Sequence, residues 1–267
     1  MARAPAVRHD DQVTVLASQT TPFGSALRRW RLARGWSQLE LSVASETTSR
    51  HVSFLETGRS RPSRDMVERL AQALGLPLRE RNLLFHSAGL AQAYPESALE
   101  SEDLAAFRLV VDRMLESHEP FPAYAVDGHW NIVRANAAAD RFLATTSERN
   151  VVKLTYAGAW RDLIDNWDDI AWVGVCRLQA EAGRFPQDDE LAELVELAAS
   201  AVSGLPRRSA DASTRVLCPN FRVGDDLVRT ISVVAQFSAP LDVTLDELRI
   251  ELVYPADDDA RRFFAGA

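Results

Sequence analysis

Gly35-Trp36-Ser37-Gln38-Leu39-Glu40-Leu41-Ser42-Val43-Ala44-Ser45-Glu46-Thr47-Thr48-Ser49-Arg50-His51-Val52-Ser53-Phe54-Leu55-Glu56-Thr57-Gly58-Arg59 is the stretch that decides how this chain folds. Ser37 stands three residues ahead of Glu40, the spacing of a capping box: the hydroxyl accepts from the third amide while the glutamate accepts from the serine amide. Leu41 and Ala44 are expected to face inward. Thr48 reads as a second N-cap, opening a helix to about Glu56 with Val52 and Leu55, three apart, on its inner face. Two short amphipathic helices joined by a tight turn therefore lead into a basic loop.

Working outward, a helix from about Phe23 to Arg34 puts Phe23, Ala26, Leu27, Trp30 and Ala33 on one face, and Gly35 ends it. Downstream, Ser63 caps a fourth helix through Ala71 and Leu74, stopped by Gly75. A fifth, about Leu78 to Ala88, closes the core with Leu83, Leu84 and Phe85. Five helices in this order make a helix-turn-helix domain, whose third helix enters the DNA major groove with its N-terminal residues against base edges. Ser49, Arg50, Ser53 and Phe54 are left on its outer face. Arg50 suits a bidentate contact to guanine O6 and N7, and Phe54 a thymine methyl, unless it packs on a neighbouring helix. Arg59 and Arg61, beyond Gly58, suit backbone phosphates. Gln38 and Thr48 have two readings, as phosphate contacts at helix N-termini or as caps alone.

Charge agrees with double-stranded DNA as the partner once it is divided. The net charge is −8, yet residues 22–90 hold 11 Arg and no Lys against 6 acids, a balance of +5. Residues 91–267 carry 17 basic and 30 acidic residues, a balance of −13. A basic reading module joined to an acidic sensing or assembly module fits that split. The boundaries expected are an arm over 1–20, the helical domain over 21–90, a linker over 91–102 and a second domain over 103–267. The 2 cysteines, Cys176 and Cys218, encode neither a disulfide framework nor a Cys-rich zinc site. No apolar run reaches membrane-spanning length, and no leader pattern opens the chain, so a soluble cytoplasmic protein with no membrane partner is expected.

In the acidic half, a helix over about Glu102 to Ser117 carries Leu104, Phe107, Val110, Val111, Met114 and Leu115 at helical spacing. It either packs on the following domain or pairs with its copy. Ala123–Val126 and Trp130–Arg134 read as strands across the turn Asp127-Gly128, and Asn136 caps a helix from Ala137 to Leu143. Helices follow around Trp160–Asp165, Trp167–Ala182 and Asp188–Ser203. Strand composition returns at Thr214–Val223, Leu227–Phe237 and Leu248–Tyr254. The expected second domain is α+β, a small antiparallel sheet with helices over one face.

Trp130, Trp160, Trp167 and Trp172 cluster here with Tyr124, Tyr156 and Phe142, either a plain aromatic core or the wall of a small-molecule pocket. Arg177 either meets a ligand carboxylate or pairs with a nearby acid. No catalytic case stands: phosphate-binding loop, nucleophile elbow and dinucleotide fingerprint are absent, and so is metal-ligand spacing. Val175-Cys176-Arg177-Leu178-Gln179 lacks the asparagine of a flavin-adduct loop. His118 and His129 flank turn residues, poor axial haem ligands. No enzyme, metal or cofactor is expected, apart from a bound fatty acid or other small apolar ligand.

Residues 23–88 resemble the XRE-type helix-turn-helix family, and Arg50-His51-Val52-Ser53-Phe54-Leu55-Glu56-Thr57-Gly58-Arg59-Ser60-Arg61-Pro62-Ser63 is similar to the MmyB-like regulators within it. Glu46 departs from that pattern, standing where many such proteins carry Gly. Glu tolerates positive φ poorly, so a turn of different shape or a longer second helix is expected. The acidic half resembles the PAS-like ligand-binding domain of the same regulators through Pro122-Ala123, Trp130 to Arg134-Ala135-Asn136, Asn166-Trp167, Arg177-Leu178 and Asp242 to Glu251. The resemblance implies a transcription regulator whose second domain senses small apolar molecules of the fatty-acid class. One such helical module reads few base pairs, so a homodimer on a roughly palindromic operator is expected. The alternative is a second domain that only dimerises or binds other proteins.

Overall fold

A computed structural model describes residues 21–144, 146–206 and 218–266. The expected arm over 1–20 and the first residues of the expected strand from Thr214 lie outside the described residues. The chain forms two compact units, one of residues 21–76 and 81–93, the other of 77–80 and 94–266.

The helical unit is built from α1 (Pro22–Ala33), α2 (Gln38–Ala44), α3 (Ser49–Glu56), α4 (Arg64–Ala73) and α5 (Leu78–Ser87) from its residue 81 onward. The capping box is present: Ser37 Oγ accepts from Glu40 N–H at 3.1 Å and Glu40 accepts from Ser37 N–H at 2.6 Å. The Thr48 and Ser63 hydroxyls accept from His51 N–H and Met66 N–H in the same way. Phe23, Leu27, Trp30, Leu41, Val52 and Leu55 pack with Met66, Leu70, Leu84 and Phe85 in one closed core. Gly24 lets α1 cross the end of α3, since a Cβ there would lie 2.5 Å from the Glu56 carbonyl oxygen.

Three positions expected inside are exposed, namely Ala33, Ala44 and Leu83. Polar residues take their place. Arg31, four residues after Leu27, is buried because Glu56 neutralises it. Ser42 on α2 and Ser45 at its C-cap are buried because their hydroxyls donate to Leu39 O and Leu41 O. On α5, Asn82 is buried beside Leu84 and accepts from Ala93 N–H at 3.1 Å. The turn after α2 also differs from expectation: α2 stops at Ala44 and Glu46 does adopt positive φ, +52°. Its carbonyl accepts from Arg69 Nη1 at 3.2 Å, which helps hold a conformation that glutamate rarely takes.

The second unit runs α6 (Ala105–Ser117), β1 (Ala123–Val126), β2 (Ile132–Ala135), α7 (Ala137–Leu143), α8 (Val151–Tyr156), α9 (Trp160–Leu163), α10 (Trp167–Ala182), α11 (Asp189–Ala201), β3 (Asn220–Val223), β4 (Asp226–Ala235), α12 (Val243–Glu247), β5 (Arg249–Pro255) and α13 (Asp258–Ala265). The sheet order is β2-β1-β5-β4-β3, antiparallel throughout. The fold class is therefore an all-α helix-turn-helix unit followed by an α+β unit. Side-chain alternation divides the sheet into two faces. One carries Val126 and Val228 into a core with Trp160, Trp167, Val175, Leu178 and Phe264. The other carries Ala123, Ala125 and Ile250 against Val111 and Leu115 of α6. Helices thus cover both faces rather than one, because α6 turns its inner stripe onto the sheet.

Helices α8, α12 and α13 were not anticipated by the periodicity, being five to eight residues long and started by local caps at Asn150, Asp242 and Asp257. The second strand begins at Ile132 rather than Trp130. Asp127 accepts from the His129 and Asn131 amides, closing a tight loop in which Trp130 sits at φ +65°. A bulky residue in that region is strained, and such strain gathers where side-chain placement matters.

Candidate DNA-reading face and ligand cavity

Each unit presents one candidate site. On the helical unit, Thr48 starts α3 so that Ser49 and Arg50 stand exposed on its first turn, with Ser53 and Phe54 half-buried one turn later. Phe54 belongs to none of the core clusters. Its ring lies under two guanidinium groups, Arg50 at 5.2 Å and Arg59 at 6.0 Å. Gly58, at φ +72°, turns the chain back so that Arg59 and Arg61 follow exposed on the same loop. Arg50, Arg59 and Arg61 form no ion pair among the described residues, which leaves their charge for an outside anion.

Gln38 is committed inward: its Nε2 donates to Glu56 Oε2 at 2.8 Å. Glu56 also accepts from Arg31 Nε at 2.6 Å and Nη2 at 2.9 Å, and Arg31 Nη1 donates to Trp36 O at 2.7 Å. Hydrogen bonding to Glu56 holds the Arg31 guanidinium charged more firmly than usual, against the desolvation that burial imposes. This network clamps α1, α2 and the end of α3 together. Apolar periodicity missed it because the pattern counts Arg31 as a surface residue.

The second unit holds a partly open cavity of about 200 Å³ between the sheet and its helical cover. Tyr124, Trp130, Phe142, Trp160 and Arg177 all line it. Trp167 and Trp172 do not. Trp167 turns its indole to donate to Thr155 O at 2.8 Å, under a guanidinium from Arg161 at 3.9 Å, and Trp172 packs half-buried on the core's flank. Val151, Ile164, Ile170, Phe221, Val253 and Phe264 supply apolar wall that the aromatic count did not show. The lining is mostly apolar, and its ionisable groups are Arg177, Glu251, Tyr124 and Cys218.

Glu251 is the residue that sequence reasoning missed. The sheet register offered the signal, because Glu251 and Val253 alternate on β5 and Tyr124 sits opposite Glu251 on β1. Its carboxylate is buried, and burial raises its pKa above the usual carboxylate range, partly opposed by Arg177 and Arg249. Arg177 Nη2 approaches Glu251 Oε1 at only 3.6 Å, and that guanidinium is half-exposed. Burial, with the Glu251 charge behind it, pushes the Tyr124 hydroxyl well above the phenol range. That hydroxyl makes no hydrogen bond among the described residues.

Trp130 lies beneath Arg249 at 4.2 Å and Arg177 at 5.0 Å, with Arg249 tied to Glu181 and to Asp127 O. Among the described residues, the buried indole N–H groups of Trp130 and Trp160 find no hydrogen-bond partner. Each such donor costs about 1–3 kcal/mol. Chemically, this is an apolar chamber with donors and one buried acid grouped at a polar end.

Residues 107–266 match the family described as the MmyB-like transcription regulator ligand binding domain, and residues 22–84 match a helix-turn-helix domain. The chain belongs to the MmyB-like transcription regulators. The first match covers most of the second unit, including every residue that lines the cavity.

This regulator is also 34% identical over 84 residues to the HTH-type transcriptional regulator RghRB of Bacillus subtilis (strain 168), across 31% of this chain and 58% of that protein. It is 33% identical over 77 residues to multiprotein-bridging factor 1 of Schizosaccharomyces pombe, across 29% of this chain and 52% of that one. The chain thus spans between 52% and 58% of the length of these curated relatives. Among solved structures, the clp gene regulator ClgR from C. glutamicum is 32% identical, over 26% of this chain and 86% of that one, with a TM-score of 0.23. No helix among the described residues is long and apolar enough to cross a membrane.

Proposed function

We propose that this regulator reads a two-fold-related operator as a homodimer and that a fatty-acid-like molecule in the second unit tunes its affinity. The DNA reading rests on the exposed start of α3. In this reading Arg50 meets a base edge, supported by its exposure on the first turn of α3 and its contact with the Phe54 ring, and Ser49 and Ser53 flank both. Arg59 and Arg61 take phosphates. Thr48 and Gln38 act at the helix N-termini through free backbone amides, since the Thr48 hydroxyl caps α3 and the Gln38 side chain donates to Glu56.

The single observation that carries the ligand reading is the cavity itself, apolar along its walls with Arg177, Tyr124 and Glu251 at one end. A fully packed aromatic core, which a pure assembly module needs, leaves no such chamber. At about 200 Å³ it is smaller than the roughly 300–1,000 Å³ of drug-sized sites, so it suits a slim alkyl chain. An acid head fits the polar end. Arg177 and Tyr124 donate to it, and Glu251, its pKa raised by burial, shares a proton with it rather than repelling it. Occupancy alters operator affinity only to the extent that the ligand favours one state of the protein over the other.

The test is operator binding by fluorescence anisotropy during titration with a saturated fatty acid. The reading expects operator affinity to change about 5- to 150-fold at saturation. Unchanged affinity with demonstrable fatty-acid binding would remove the sensor function while leaving the site.

A further inference from the structure

Trp167 stands outside the cavity, and its indole N–H is satisfied by Thr155 O at 2.8 Å. Trp130 and Trp160 line the cavity, each only 7% exposed, and among the described residues neither N–H has a partner. A buried donor left unpaired is costly in a native fold. Two of them on the wall of one cavity point to acceptors that a ligand supplies. The Tyr124 hydroxyl, on the same wall, also makes no hydrogen bond among the described residues.

One acid head does not serve every donor. A carboxylate offers about four lone-pair sites. The fork of Arg177 takes two of them, the Tyr124 hydroxyl one, and Trp130, whose ring lies beneath Arg177 at 5.0 Å, the last. The proton shared with Glu251 already exceeds that supply. Trp160 is therefore left over. Its ring neighbours are Tyr124 at 6.2 Å, which belongs to the polar end, and Phe221 at 6.2 Å. Phe221 opens a run of apolar rings, through Phe142 at 5.5 Å to Phe264 a further 6.1 Å on. The surplus donor thus stands where the head of the ligand gives way to its chain.

We infer that the ligand carries a second oxygen, a carbonyl or hydroxyl within its acyl chain, and that the Trp160 indole N–H selects for it. The inference rests on the cavity reading above and narrows its ligand class from plain to oxygenated acids. A water held at Trp160 would need about 2–4 polar partners. An oxygen carried within an acyl chain brings apolar contacts to Phe221 and Phe142 instead.

Calorimetric titration of the full-length protein tests this, with circular dichroism confirming that each variant is folded. Octanoic acid is compared with a series of oxo-octanoic acids in which the ketone moves stepwise from carbon four to carbon seven. At least one oxo acid should bind about tenfold tighter than octanoic acid. Trp160→Phe should shrink that advantage to under about twofold, while octanoic acid keeps its affinity within about threefold. Phe142→Leu also removes ring bulk from the wall but no donor, and should preserve the advantage. A series that nowhere exceeds octanoic acid would overturn the second oxygen while sparing the cavity as a fatty-acid site. An advantage that survives Trp160→Phe, or that Phe142→Leu abolishes equally, would overturn the assignment to Trp160. Should neither octanoic acid nor any oxo acid bind, the cavity reading itself fails, and this inference with it.

Discussion

Both units bury an acid beside an arginine, and they do so in opposite ways. In the helical unit, Arg31 and Glu56 meet through two short parallel bonds, with side chains only 8% and 3% exposed, and Nη1 donates to Trp36 O. In the cavity unit, Arg177 and Glu251 meet through one approach at 3.6 Å, with Arg177 51% exposed and Glu251 7%. The first pair is closed. The second keeps bonding capacity turned toward the cavity that both residues line. A closed pair holds elements together, while an open one leaves donors and a strained acid for something that arrives later.

The largest expected effect is on the closed pair. Glu56→Ala strands a buried guanidinium and releases Gln38, which should cost the helical unit about 3–5 kcal/mol in denaturant unfolding. A loss under about 1 kcal/mol would mean that the pair is ornamental, as surface pairs are.

Next is Arg50→Ala, expected to cost about 1–3 kcal/mol on the specific operator and to relax choice at one base pair. Arg59→Ala should weaken all sequences alike and lower the salt slope by about 1. Equal losses on all sequences for both variants would move the base-reading role away from Arg50.

The open pair should respond in ligand affinity rather than in folding. Arg177→Leu is expected to weaken fatty-acid binding about tenfold, about 1.4 kcal/mol. Its melting temperature should stay within about 2 °C of wild type, since the guanidinium is half-exposed. A large stability loss with unchanged affinity would reverse the contrast between the two pairs.

Glu251 gives the smallest and most pH-dependent effect. Its folded pKa is raised, so folding favours the protonated acid, and stability is lost as pH climbs from the unfolded value of 4.5 through the folded one. Glu251→Gln removes that loss. The variant should melt about 2–4 °C above wild type at pH 8 and equal to it at pH 4, followed by calorimetry. The same advantage at both pH values would assign the effect to packing instead.

How much was legible beforehand follows the same division. Caps at Ser37, Thr48 and Ser63, with apolar spacing at Val52 and Leu55, carry the helical unit almost whole, because those signals act within one turn of chain. Arg31 was hidden, since the partner that permits its burial lies 25 residues away. In the second unit, composition brought Tyr124, Trp130, Phe142, Trp160 and Arg177 to one place but could not separate them from Trp167 and Trp172. Which indole faces a chamber depends on helix rotation in three dimensions. Glu251, and Ser232, which lines the same cavity opposite Val253, needed the register of β5 against β1 and β4, which no local pattern encodes. Trp130 was read as a strand residue because the positive φ that aims it is a property of the closed loop, not of tryptophan.

Native mass spectrometry of the freshly purified full-length chain, followed by denaturation and identification of any released molecule, tests the central claim most directly. The account predicts a bound species of fatty-acid mass, lost or diminished in Arg177→Leu. A protein that carries nothing, and takes up no saturated fatty acid when one is added in excess, would contradict it.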